Sequence, residues 1–92
     1  MTVFDLSRDG LDGPMVDAQW RRLDEIRHAL VVTASALEAQ GDPRGVTPST
    51  VAYRAHVSVG EARAFLDRLV TEGHAACTMA GRHVRYRPVG PQ

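Results

Sequence analysis

Lysine is absent from the 92 residues, cysteine occurs once, aromatic residues make up 5% and the formal net charge is zero. Each shortage excludes something. A single cysteine, Cys77, leaves no intramolecular disulfide to form and no Cys-rich metal framework, which points to a reducing compartment. The opening MTVFDLSRDG has acids and a glycine where a secretory leader needs a basic start and an apolar run, so a cytoplasmic location is expected. The most continuous apolar stretch, ALVVTASAL at 29–37, falls far short of the roughly 20 residues that span a bilayer, so no membrane partner is expected. No GxSxG, Walker-type or dinucleotide-binding glycine pattern occurs, and no carboxylate pair is placed for acid–base work. Neither catalysis nor a cofactor is expected. His28, His56, His74 and His83 lack metal-ligand spacing, so no metal site is expected either.

With 43% apolar and 24% charged residues, the chain has the composition of one small soluble domain with a modest core. So small a core gains from pairing with a second subunit. All eleven basic residues are arginine, and they are unevenly placed. Through Pro43 there are eight acids against four arginines, a charge of −4; from Arg44 onward seven arginines face three acids, a charge of +4. Such asymmetry marks a candidate surface for an anionic partner.

Residues 1–15 lack sustained periodicity and contain the breaker pair Gly13-Pro14, so they read as a loose arm whose Val3, Phe4 and Leu6 could dock on a neighbour. Residues 16–92 read as a single domain. Val16, Trp20, Leu23, Arg27, Leu30, Ala34 and Leu37 recur at spacings of four and three, with Ile26 widening the stripe, which predicts a long helix over 16–40. Its second half is apolar nearly all round. Either a second subunit or the other helices cover it, and Trp20, Leu23, Leu30, Val32 and Leu37 are the candidate dimer contacts. Gly41 and Pro43 end the helix.

Val46 fits a very short strand. Thr47 followed by Pro48 starts a short helix, with Val51, Ala52 and Ala55 inward. Ser58-Val59-Gly60-Glu61 fits a capping box that starts another helix, whose apolar face is Val59, Ala62, Phe65, Leu66, Leu69 and Val70 and whose stop is Gly73. Two helices joined so closely make a helix-turn-helix over 46–73. Beyond Gly73 the period changes to two: Ala75, Cys77 and Met79 share one face, a turn follows at Ala80-Gly81, and Val84 and Tyr86 share the face of a second strand. This hairpin, 74–89, carries His83, Arg85 and Arg87 on its opposite face and Arg82 at its tip. Such a basic cluster serves either nucleic-acid contact or protection of an edge strand. The fold expected is mainly α with a small β-hairpin.

VTPSTVA, SVGEARAFLDRLVTEGH and AACTMAGRHVRYRPV together resemble a winged helix-turn-helix domain of bacterial transcriptional regulators, similar to the arsenic-repressor-like and MarR-like families. The resemblance covers about Val46 to Val89, and LDRLVTEGH leading into a hairpin with a Gly-Arg tip is its most specific part. It implies a homodimer on double-stranded DNA, with the helix after Ser58 in the major groove and the hairpin, as the wing, on backbone or minor groove. The implied contacts are Ser58, Gly60, Arg63, Ala64, Asp67 and Arg68 on the recognition helix, and Arg82, His83, Arg85 and Arg87 on the wing. Tyr53 and Arg54 would add phosphate contacts. The alternative is a module that docks a protein partner through the acidic first helix and binds no DNA.

Overall fold

The computed structural model describes residues 15–89. It contains α1 (Asp17–Ala39), α2 (Pro48–Ala55), α3 (Val59–Thr71), β1 (Ala75–Ala80) and β2 (His83–Pro88), the mainly helical order with a following hairpin that the sequence predicts. Most of the arm at 1–15, including Val3, Phe4 and Leu6, lies outside the described residues. Its last residue, Met15, is buried against the core.

At the start of α1 the Val16 N–H donates to Gln19 Oε1 at 3.0 Å. The helix closes with two backbone bonds, Gly41 N–H to the Glu38 carbonyl at 2.9 Å and Asp42 N–H to the Leu37 carbonyl at 2.8 Å. The buried face is Leu23, Ile26, Ala29, Leu30, Thr33 and Ala34, a stripe rotated from the expected one. Trp20 is 46% exposed, and Val16 and Arg27 are also on the surface. The reason is positional: α2, α3 and β2 pack along the line through Ile26 and Leu30, and at 100° per residue Trp20 and Arg27 fall on its edge.

Thr47 caps α2, accepting the Thr50 N–H, and Pro48 takes the first helical position where its missing N–H costs nothing. Val51 and Ala52 are buried and Ala55 is half-buried. The chain then turns through His56, Val57 and Ser58. His56 adopts left-handed geometry, φ 61°, which lets the Val57 N–H return to the Ala52 carbonyl at 3.1 Å. Ser58 Oγ accepts the Glu61 N–H at 3.0 Å, so the serine half of the expected capping box forms. Glu61 instead extends to α1, where its Oε2 lies 3.2 Å from Arg22 Nε. Ala62, Phe65, Leu66 and Leu69 form the buried face of α3. At its end Gly73, φ 84°, occupies the left-handed position that lets the His74 N–H reach the Leu69 carbonyl at 2.8 Å.

The hairpin is antiparallel, with Cys77 opposite Tyr86, Thr78 opposite Arg85 and Met79 opposite Val84. Directly opposed residues share a face, so Ala75, Cys77, Met79, Val84 and Tyr86 do so as expected. Burial along that face fades toward the tip: Tyr86 is wholly buried, Val84 half-buried and Met79 67% exposed. Cys77, though opposite Tyr86, is exposed, because β2 packs on α1 and pairs with Val46 while β1 is the outer strand of the hairpin. On the other edge of β2, Val46 and Tyr86 exchange both backbone hydrogen bonds at 2.8 Å, the short strand expected at Val46. Gly45 is needed there: a Cβ would stand 2.9 Å from Arg87 Cγ and 3.0 Å from the Tyr86 carbonyl oxygen. Tyr86, Val46, Ile26, Leu30, Val51, Leu66 and Leu69 form the centre of one core.

Candidate nucleic-acid interface

The apolar face of α3 is spent on the core, which leaves Gly60, Arg63, Asp67 and Thr71 exposed along its outer side. Ala64 is half-buried and packs against the core cluster. The Ser58 hydroxyl is engaged as the N-cap. Arg68, expected on the outer face, is turned inward. Its side chain is 13% exposed, its Nε donates to Glu72 Oε2 at 2.9 Å, and its guanidinium lies 6.0 Å from the Trp20 ring centroid. Arg68 thus clasps α3 to α1 through the tryptophan that the rotated stripe leaves at the surface. Among the described residues, Arg63 is the cation of α3 that has no ion-pair partner.

Asp67 is also held. The Tyr86 hydroxyl donates to Asp67 Oδ1 at 2.5 Å, tying β2 to the middle of α3. Burial, then the hydrogen bond and charge of Asp67, push the Tyr86 phenol well above the usual tyrosine range, so it stays a neutral donor. Sequence alternation places Tyr86 inward without revealing its partner. The available signal is the general need of a buried tyrosine hydroxyl for an acceptor.

On the hairpin, Arg82, His83 and Arg87 are exposed. Arg85 departs from the outward placement expected of it: it is half-buried and its Nη1 donates to the Gly45 carbonyl at 3.3 Å. The close packing of Arg85 and Arg87 against Gly45 accounts for this, since the chain before α2 runs along β2 on that face. On α2, Tyr53 is 83% exposed and Arg54 is exposed as well. Of the candidate dimer contacts, Leu23 and Leu30 lie in the core of the single chain and Leu37 packs against it, so a second subunit would not meet them as surface. Trp20 and Val32 do face out, at 46% and 41% exposed.

The charge sorting seen in the sequence becomes sharper in three dimensions. From Arg44 onward the three acids are all engaged: Glu61 by Arg22, Asp67 by the Tyr86 hydroxyl and Glu72 by Arg68. Arg54, Arg63, Arg82 and Arg87 have no ion pair among the described residues. No group of three or more His, Cys, Asp or Glu among the described residues is arranged to hold a metal ion, and no helix among them is long and apolar enough to cross a membrane. Comparison with protein-family models, curated proteins and solved structures gives no significant match.

Proposed function

We propose that this chain is a winged helix-turn-helix protein that binds double-stranded DNA as a homodimer and regulates transcription, with α3 as recognition helix and the hairpin as wing. The observation that carries the reading is the separation of engaged acids from unpaired arginines. Repulsion of phosphate by Glu61, Asp67 and Glu72 is reduced by their partners, while Arg63, Arg82 and Arg87 are left to donate. Small Gly60 near the start of α3 permits close approach to a groove floor, with Arg63 one turn further on for guanine or phosphate. Arg82, His83 and Arg87 suit backbone phosphate or a narrow minor groove. No catalytic step belongs to this reading.

The test is binding to a mixture of genomic DNA fragments across a salt series. If Arg82 and Arg87 each neutralise one phosphate, the double alanine variant binds more weakly, and its slope of log K against log salt is shallower by about 1.8. Arg85 is left intact because it packs on Gly45. An unchanged slope in the variant would remove the wing from the interface. Absence of wild-type binding even at about 50 mM salt would favour the protein-docking alternative, which the exposure of Val16 just before α1 and of Trp20 on it supports.

A further inference from the structure

Two buried polar atoms, Thr33 Oγ1 on α1 and Arg85 Nε on β2, have no hydrogen-bond partner among the described residues. The residues are 52 positions apart in sequence, yet both line one pocket of about 290 Å³ between α1, the start of α2 and β2. Two unsatisfied groups on residues lining one pocket are unusual, because buried polar groups nearly always find partners. Thr33 is 4% exposed, so this hydroxyl is not a solvated surface group.

The remaining lining has a definite chemistry. Arg54 contributes a second guanidinium without an ion pair among the described residues, Thr50 a hydroxyl, and Leu37 and Val46 an apolar side. Asp42, the acid of the lining, is already bound by Arg44 through Nε at 2.8 Å and Nη2 at 3.0 Å. Those hydrogen bonds hold its carboxyl down at about 2, so its charge is permanent and compensated. With Asp42 offset by Arg44, Arg54 and Arg85 remain without an acid partner in the lining. Arg85 is anchored through Nη1 on the Gly45 carbonyl, which leaves the Nε edge, one of the guanidinium edges that accepts a carboxylate in two parallel bonds.

We infer that this pocket binds a small organic monocarboxylate, its carboxylate on Arg85 and Thr33 and its short hydrocarbon body against Leu37 and Val46. The volume falls just below the roughly 300–1,000 Å³ of pockets for drug-sized ligands, which suits a ligand of few atoms and is small for a nucleotide. Free phosphate would leave the apolar side unused. Both atoms are covered in the free protein, so the ligand must displace the Arg85 side chain about its bond to Gly45 to reach them. A ligand seated there touches α1, α2 and β2 together, and the site stands whether or not the chain binds DNA.

The experiment is an NMR titration of the full chain with butyrate at fixed ionic strength, with butyramide as neutral isostere and inorganic phosphate as second anion. Saturable shifts at Thr33, Val46 and the Arg85 Nε–H are expected with butyrate at a Kd of about 1 mM, as suits a ligand of few atoms. Butyramide should produce none. Thr33→Val should weaken butyrate about tenfold while leaving the free protein's Tm unchanged or higher, because an orphaned hydroxyl is replaced by a methyl group. Arg54→Gln is the second variant, also weaker for butyrate. Lack of saturation by about tenfold that Kd, equal response to butyramide or to phosphate, or unchanged affinity in both variants would overturn the assignment. A lower Tm for unliganded Thr33→Val would overturn its premise, since the hydroxyl would then have a partner in the free protein.

Discussion

Tyr86 ties β2 to Val46 on one side and to α3 on the other. Its backbone exchanges two hydrogen bonds with Val46, its ring is wholly buried, and its hydroxyl donates to Asp67. Tyr86→Phe keeps the packing and removes that donation, while Asp67, being exposed, regains water. A loss of about 1 kcal/mol in urea unfolding is therefore expected; an unshifted midpoint would mean that the bond contributes nothing. The inward direction of Tyr86 is legible from strand alternation, and its acceptor is not, because which turn of α3 faces β2 is decided by tertiary packing. Arg68 carries the same lesson. A helical wheel puts it outside, and only the displacement of Trp20 to the edge of α1 brings an aromatic face and Glu72 to hold it inside.

Element by element, the parts written in local chemistry are the parts the sequence discloses. Thr47-Pro48, Ser58 with the Glu61 N–H, Gly73 and the period-two run beyond it place helix starts, stops and the hairpin because each acts within a few residues. The burial stripe of α1 is not legible for the opposite reason: a helix with apolar residues on several sides has no unique inner face until its neighbours choose one. His56 is a local feature that a sequence reading passes over. It holds a left-handed conformation between α2 and α3 that favours glycine, at a cost of roughly 1–2 kcal/mol for a side-chain-bearing residue. His56→Gly offsets part of that gain by loosening the unfolded chain, so the expected result is a net stabilisation of up to about 1 kcal/mol in thermal or urea unfolding. A destabilised variant would show that the histidine ring contributes more at the turn than its backbone costs.

For the molecule as a whole, the sequence separates acidic and basic halves, and folding adds that the acids of the basic half are taken up by internal partners. Oligomeric state belongs to this scale. Val31 and Val32 are 38% and 41% exposed on α1, an apolar strip that one chain leaves open to water. If the homodimer forms there, Val32→Glu gives a folded monomer by sedimentation, with helical circular dichroism intact. A dimer that persists would place the interface elsewhere. Leu30, a dimer contact by sequence, is wholly buried, and a charge there would unfold the chain. The fading burial of the hairpin has a mechanical consequence. With Tyr86 clamped between Val46 and Asp67, the hairpin is a cantilever with its fulcrum at the core and its free end at Gly81-Arg82. Bending at that end can follow an uneven surface while α3 keeps its seat, so compliance and rigidity occupy opposite ends of one six-residue strand.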